Sequence, residues 1–216
     1  DPATNPRGWP LGRIRDLAIK YSDGPFGSNL KSDHYVHDGV RVIRLQNIGV
    51  GQLIDTDKAF ISLKHFSSIS KHECRPGDVL IGTLGDPNLR ACIQPNEIAL
   101  ALNKADCVQL RVNPDKATKE FACWLINMPG TLSLAQSLVL GQTRSRISMG
   151  RLGELLVPVP PLELQEDFSR KAQVVNSALA KTDSVCKKVE NLFNSLMEHA
   201  FSGQLTAKWR EAHGKE

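Results

Sequence analysis

The chain has 216 residues, of which 41% are hydrophobic and 23% charged, and its formal net charge is +4. This composition excludes a disordered or fibrous protein, and no apolar run approaches the roughly 18 residues of a membrane span. The excess positive charge lies in residues 1–160, which hold 19 Lys/Arg and 15 Asp/Glu, whereas residues 161–216 hold 8 of each. A mildly basic first part permits nucleic-acid binding. Five widely spaced cysteines favour reduced thiols in a cytoplasmic protein.

Turn signals and short apolar runs alternate through the first 160 residues. A Gly/Pro/Ser-rich loop is predicted over 24–32, "GPFGSNLKS". Strands are predicted in four segments: 40–46, the centre of 77–86, 90–94 and 106–112. Helices are predicted over 118–128 and 131–140. Strands with interspersed helices predict a mixed α+β globular domain that ends near Pro160.

A long helix is predicted over 161–202, because no Pro or Gly follows Pro161 until Gly203. Gly203 suits the position that ends a helix. A helix of about 40 residues is on the order of 60 Å long. Apolar residues recur along it at spacings of four and three, the pattern of a coiled-coil seam. The members of this stripe are Phe168, Ala172, Val175, Leu179, Thr182, Cys186, Val189, Phe193, Leu196 and Ala200.

The stripe has two interpretations. A helix packed on its own domain is one, although such helices usually run 8–20 residues with a broader apolar face. We favour a dimerisation or docking helix, with the core of the pairing formed by Val175, Leu179, Thr182, Cys186, Val189, Phe193 and Leu196. The predicted organisation is therefore a recognition domain (1–160), a spacer helix (161–202) and a polar tail (203–216).

The sequence contains no recognisable catalytic motif. No Asp or Glu is followed two positions later by Lys, and the phosphate-binding patterns GxxxxGK[ST] and GxGxxG are missing. There is no CxxC, and the one HxxH, at His34 and His37, lacks further ligands at zinc spacing. We therefore expect no catalytic residue, no metal and no cofactor.

One segment has the composition of a DNA-reading loop. "GQTRSRIS", residues 141–148, contains no carboxylate. Arg reads guanine bidentately, Gln can read adenine, and hydroxyl groups contact phosphates. A polar surface loop with two solvated arginines is the alternative. The DNA-binding candidates are Gln142, Thr143, Arg144 and Arg146 in this segment, with Ser28, Lys31, Arg44 and Arg90 elsewhere.

These segments, taken in order, resemble a known family. The resemblance lies in Trp9 with Leu11-Gly12-x-Ile14, "DGPFGSNLKSDHY", "GVRVIRLQNIGVG", "PGDVLIGTLGD", "GQTRSRIS", "LLVPVPPLELQEDF" and "AFSGQLTAKWR". The chain is similar to the specificity (S) subunit of Type I restriction–modification systems. Such subunits carry two target-recognition domains, each followed by a conserved helix, and this chain resembles one such repeat.

The resemblance implies a non-catalytic subunit that reads one half of a bipartite target in double-stranded DNA. It implies that the helix packs antiparallel against a counterpart and docks modification (methyltransferase) subunits. S-adenosylmethionine and ATP are expected only on partner subunits, the modification and restriction subunits respectively. Two open alternatives are the recognition part of a fused restriction–methyltransferase enzyme and a coiled-coil protein without a DNA role.

The centre of the stripe predicts how two copies pair. Thr182 and Cys186 are the only weakly apolar members near the middle of 162–202. A small, mildly polar centre favours an antiparallel homodimer with its two-fold axis between them. The alternative is that the helix pairs with a second conserved helical region outside this sequence, in which case this chain by itself is monomeric.

Overall fold

The structure, a computed structural model, describes residues 5–85, 88–138 and 145–213. Its strands are β1 (Leu11–Arg13), β2 (Ala18–Ser22), β3 (Tyr35–Val36), β4 (Val40–Ile43), β5 (Phe60–Ile61), β6 (Glu73–Cys74), β7 (Val79–Gly82), β8 (Arg90–Ile93), β9 (Ala101–Asn103), β10 (Cys107–Val112) and β11 (Leu156–Pro158). Its α-helices are α1 (Leu63–Ser68), α2 (Lys119–Asn127), α3 (Pro129–Gln136), α4 (Met149–Glu154), α5 (Leu162–Phe201) and α6 (Ala207–His213). Contacts group these elements into two compact units, Asp1–Ser169 and Arg170–Glu216.

The described residues of the first unit form three sheets. A four-stranded antiparallel sheet has the order β2-β10-β7-β8, and a five-stranded sheet has the order β3-β5-β4-β9-β6 with β4 and β9 parallel. Strand β1 pairs antiparallel with β11, so Leu11 lies opposite Pro158. The mixed α+β domain followed by a long helix confirms the predicted fold class.

The predicted strands are present in the structure, although their first or last residues differ from the predicted ones. Each residue of β7 is buried, as expected for a short apolar run in the centre of a sheet. Strand β4 ends at Ile43 rather than Gln46, because the chain turns into a 3₁₀ helix over Leu45–Asn47 whose Asn47 side chain accepts a hydrogen bond from the N–H of Arg44. The sequence pattern alone did not reveal this turn.

The main core lies between the four-stranded sheet and helix α2. Helix α2 begins after Thr118, whose side chain accepts a hydrogen bond from the N–H of Phe121. Its buried face includes Cys123 and Ile126, which pack in one cluster with Val79 and Ile81 of β7. The predicted second helix is also present as α3, which starts at Pro129 rather than at residue 131.

The start of α5 is fixed to the first unit by Gln165. This buried side chain accepts a hydrogen bond from the N–H of Thr118 and donates to the carbonyl oxygens of Lys116 and Pro160. Ser169, one turn later, lies 2.8 Å from the Thr118 hydroxyl. The first two turns of α5 are therefore part of the first unit, and the remainder of the helix belongs to the second.

The second unit consists of the rest of α5 and a helical tail. Helix α5 ends at Phe201, and Gly203 adopts the left-handed conformation (φ +74°) that was predicted to end the helix. The tail then forms a 3₁₀ turn over Gln204–Thr206 and helix α6. Among the described residues, none of the helices is long and apolar enough to cross a bilayer.

Candidate nucleic-acid interface

The Gly/Pro/Ser-rich loop at 24–32 is anchored at its first residue and exposed at its tip. A β-carbon on Gly24 would lie 2.2 Å from the carbonyl carbon of Lys104, so only glycine fits against that backbone. Beyond this anchor the chain reaches the surface, where Phe26 is 44% exposed and Ser28 is also exposed. The loop therefore presents an aromatic and a hydroxyl side chain to solvent from a fixed base.

Arg146 joins this loop to two other segments of the chain. Its backbone forms an antiparallel bridge with Leu84. Its Nε lies 2.6 Å from Oδ1 of Asp106, and its guanidinium carbon lies 5.6 Å from the ring centre of Phe26. An ion pair and a cation–π contact thus orient the side chain, yet 45% of it remains exposed. Arg146 is oriented and open to solvent at the same time, which suits contact with a phosphate or a base edge.

The other predicted members of that segment, Gln142, Thr143 and Arg144, lie outside the described residues. Their role as DNA contacts stays a prediction. Sequence reasoning missed Phe26 and Asp106, the two side chains that orient Arg146. The aromatic ring within the "GPFGS" turn was the one signal that could have pointed to Phe26.

Arg44 and Arg90 are engaged by the protein itself. The Nη2 atom of Arg44 lies 2.5 Å from a carboxylate oxygen of Asp57, and the side chain is mostly buried. Arg90 donates from Nε to the carbonyl oxygen of Ile48 and from Nη2 to that of Leu45. These bonds hold the 3₁₀ turn of residues 45–47 against β8, so the geometry favours a packing role for Arg90.

Lys31 and the loop around it are tied to helix α1 by histidines. Lys31 is exposed, and its N–H donates a hydrogen bond to Nδ1 of His34. The rings of His34 and His65 lie 3.9 Å apart, and Nε2 of His65 lies 2.9 Å from the carbonyl oxygen of Asn29. These contacts fix the backbone that carries the exposed side chain of Lys31.

Burial and charge also shape the protonation of this region. His72 donates from Nδ1 to the carbonyl oxygen of Asp23, and burial lowers the pKa of its imidazole. Burial also raises the pKa of the Asp23 carboxyl, an effect that the nearby His72 and Arg146 oppose. Lys104 lies near the loop, with its ammonium nitrogen 5.7 Å from the ring centre of Tyr35. Basic and acidic groups are thus interleaved here, and Arg146, Lys104 and Lys31 supply the positive charge.

The predicted pairing residues of α5 all lie on exposed surface. This holds for the whole set: Val175, Leu179, Thr182, Cys186, Val189, Phe193 and Leu196. Val185 and Leu192, which flank the stripe, are exposed as well. A large exposed apolar patch is typical of surfaces that bind a partner. Pairing itself stays a prediction.

The fold and the surface together define a class of protein: an α+β domain with an oriented, exposed arginine, joined to a long helix with an uncovered apolar stripe. No protein-family model matches the chain. Among curated proteins, the chain is 26% identical over 200 residues to the Type I restriction enzyme EcoBI specificity subunit of Escherichia coli. That alignment covers 81% of this chain and 37% of the relative. The EcoKI specificity subunit of Escherichia coli strain K12 is 22% identical over 184 residues, covering 80% of this chain and 39% of the relative.

Solved structures share the fold at low sequence identity. The S subunit of a Type I restriction–modification system from M. genitalium superposes with a TM-score of 0.62 at 16% identity, covering 96% of this chain and 49% of that one. The HsdS subunit from Thermoanaerobacter tengcongensis gives a TM-score of 0.57 at 16% identity, covering 92% and 49%.

The predicted resemblance to Type I specificity subunits is therefore confirmed over most of the chain. The chain spans well under two thirds of the length of these relatives and about half of the solved subunits. The curated relatives are specificity subunits, in keeping with the prediction that the chain is not an enzyme.

Proposed function

We propose that this chain is a DNA-recognition subunit that reads one half of a bipartite target in a Type I restriction–modification system. The observation that carries the proposal is the similarity to specificity subunits over about four fifths of the chain. The recognition surface comprises Arg146 and Phe26 with Ser28 and Lys31 of the same loop. Positive charge from Arg146, Lys104 and Lys31 attracts the phosphate backbone, and Arg146 is the side chain that can reach a base edge.

Two copies of this chain would together supply what one full-length relative contains. Each copy spans about half of the solved subunits, and each presents one apolar stripe without a cover. We propose that α5 pairs antiparallel with its counterpart in a homodimer and holds two recognition domains apart. Because a two-fold axis relates the copies, the target would be an inverted repeat with fixed spacing. The paired helices would also dock the modification subunits.

S-adenosylmethionine and ATP would bind to partner subunits rather than to this chain. An apolar groove of the first unit is large enough for a small molecule, but Asn5, Arg7 and Gln165 are the polar side chains that line it. None of these is a carboxylate, which the cationic sulfonium and ammonium groups of S-adenosylmethionine would call for. The lining of this groove therefore supports the proposal that S-adenosylmethionine binds to a partner subunit.

Selection from a randomised pool of duplex DNA tests the function. The purified chain is incubated with the pool, alone and with its modification subunits, and the retained DNA is sequenced. We expect one short motif to be enriched, repeated in inverted orientation at constant spacing. The same selection is repeated with the Arg146→Ala variant for comparison. This variant should enrich a more degenerate motif than the wild type does. Retention of DNA without enrichment would mean that the chain does not read sequence.

A further inference from the structure

An apolar groove lies on the first unit beside the first two turns of α5. Its volume is about 650 Å³. Its walls are mostly apolar, and they include Trp9, Phe121, Trp124, Met128, Leu164 and Phe168. Met128, Leu164 and Phe168 are each exposed in the chain by itself. A cluster of this kind on a surface indicates a contact site.

The backbone of Trp9 and the ring of Trp124 are each in close contact with a neighbouring residue. Asn5 donates from Nδ2 to the carbonyl oxygen of Trp9 and accepts a hydrogen bond from the N–H of the same residue. A β-carbon on Gly51 would lie 3.0 Å from the Trp124 ring, so the glycine lets that ring lie close to the chain. The groove is therefore formed before any partner binds, which lowers the entropic cost of binding.

A matching set of exposed apolar side chains begins at Phe201, the last residue of α5, and continues along the tail, a name kept below for Phe201 and the residues after it. Phe201 is 84% exposed and Trp209 is 63% exposed, and Leu205 between them is exposed as well. Gly203, in the left-handed conformation, turns the chain between Phe201 and Leu205. The chain has three tryptophans in all; two line the groove and the third lies on this tail.

We propose that the tail of a second copy, with Phe201, Leu205 and Trp209, fills this groove. The proposal rests on the antiparallel homodimer proposed above and adds a second contact to it. With the two-fold axis midway between Thr182 and Cys186, residues equally distant from that midpoint face each other. Phe168 faces Ala200 in this register, so the groove beside the start of one helix meets the tail that follows the end of the other.

Opposite charges favour the same arrangement. Residues 162–169, at the start of α5, hold three carboxylates and no Lys or Arg. Residues 202–213 of the tail hold Lys208 and Arg210 against Glu211. In an antiparallel pair each acidic helix start adjoins the partner's basic tail, whereas a parallel pair would place the two acidic starts side by side. Because the contact occurs twice, once at each end, it would fix the helix pair at both ends.

Sedimentation of the full chain over a range of concentrations tests the contact. Trp209→Ala removes an exposed ring, so the free chain should still fold. Buried tryptophans at the centre of an interface are frequent hot spots. We therefore expect the dissociation constant of the dimer to rise about 30-fold or more. Ile19→Ala is the matched control, since Ile19 is also 63% exposed but does not line the groove. It should leave the constant unchanged.

Crosslinking gives a second measurement. Chains with Met128→Cys are mixed with chains carrying Lys208→Cys, both in a Cys186→Ser background. A short thiol crosslinker should join the two kinds of chain in the mixture and neither kind to itself. The groove contact is wrong if the wild type dimerises, Trp209→Ala leaves the dissociation constant unchanged and no mixed crosslink forms. The homodimer proposal would survive that result. A wild type that sediments as a monomer at every concentration overturns both, and the DNA selection then judges the recognition function by itself.

Discussion

The Nε atom of Arg146 lies 2.6 Å from a carboxylate oxygen of Asp106 on the surface that also carries Phe26. The pair is partly exposed, so its contribution to the free energy of unfolding is small, about 0–1 kcal/mol. Its importance lies in binding, because the carboxylate both orients the guanidinium group and opposes its charge. DNA and Asp106 would compete for the same cation.

Arg146 and Asp106 variants should therefore change DNA affinity in opposite directions. Arg146→Ala should weaken binding to the selected target by about 1–3 kcal/mol if the side chain reads a base edge. If it contacts a phosphate, binding to every sequence should weaken. The slope of the logarithm of the binding constant against the logarithm of the salt concentration should then fall in magnitude by about 1. Asp106→Asn should strengthen binding, since it removes a negative charge. Asparagine tolerates the left-handed backbone (φ +64°) at this position.

Fluorescence anisotropy against target and scrambled duplexes at two salt concentrations separates these outcomes. Arg13→Ala is the matched control, since Arg13 forms a similar exposed ion pair with Glu154, 3.1 Å apart, in another part of the unit. Unchanged affinity in the Arg146 and Asp106 variants would make the segment a solvated surface loop. Gln142, Thr143 and Arg144 would then be tested in turn as the remaining candidates within 141–148.

Thiol reactivity should distinguish Cys186 from the other four cysteines. Cys74, Cys92, Cys107 and Cys123 are buried, and Cys186 is exposed. Burial raises the pKa of Cys92 and of Cys123 to about 12, and raises those of Cys74 and Cys107 as well, so the reactive thiolate is scarce at neutral pH. In the monomer, whose apolar stripe is open to solvent, we expect one thiol per native chain to react quickly with an aromatic disulfide reagent, and five after unfolding. Two or more fast thiols in the native chain would contradict the buried positions.

The anchor of α5 gives a prediction about stability. Gln165→Ala removes three hydrogen bonds at once and leaves the N–H of Thr118 and the carbonyl oxygen of Pro160 without that partner. Each buried polar group left unsatisfied costs about 1–3 kcal/mol, so the free energy of unfolding should fall by about 3 kcal/mol. Urea denaturation measures the free energy of unfolding. The exposed Gln136→Ala should change it by less than about 0.5 kcal/mol, and equal effects would refute the anchor.

Local sequence patterns predicted much of the fold. The features that these patterns did not predict depend on contacts that the patterns do not encode. The apolar run of β7 and the uninterrupted stripe of α5 are properties of neighbouring residues, so their periodicity identified them. The parallel pairing of β4 with β9 joins segments far apart in the sequence, and periodicity tells which face a residue occupies but not which strand lies beside it. The 3₁₀ turn after β4 was missed because a hydrogen bond that the Asn47 side chain accepts from the N–H of Arg44 competes with the strand.

The candidate site shows the same limit. Arg146 was identified by composition, but its partners Asp106 and Phe26 come from distant segments that the fold brings together. Arg90 was a weaker candidate from the sequence, and its guanidinium group donates to backbone carbonyl oxygens of residues 45 and 48. Residue type shows what an arginine can bind, and only the tertiary structure shows whether its donors are already in use.

A charge within the apolar stripe of α5 should disrupt association. Phe193→Asp places a carboxylate where the pairing surface is proposed, and burying an unpaired charge costs several kcal/mol. We expect the variant to sediment as a monomer, to lose the modification subunit in a pull-down, or both, while its first unit stays folded by circular dichroism. Asn191→Asp is the matched control, since it adds the same charge to an exposed residue of the helix outside the stripe. Equal behaviour of the two variants would mean that the stripe is not an interaction surface.

The register of the helix pair is tested by a cysteine at its centre. In the proposed antiparallel pair Thr182 of one copy lies near Cys186 of the other, and both side chains are exposed in the single chain. Thr182→Cys should therefore form a disulfide between chains under mild oxidation, whereas the wild type should not, because its two Cys186 residues lie on opposite sides of the axis. In a parallel pair Cys186 would meet its own counterpart, and the wild type would crosslink as readily as the variant. Non-reducing electrophoresis measures the fraction of disulfide-linked dimer in the wild type and in the variant. Equal crosslinking in wild type and variant, or none in either, contradicts the antiparallel register.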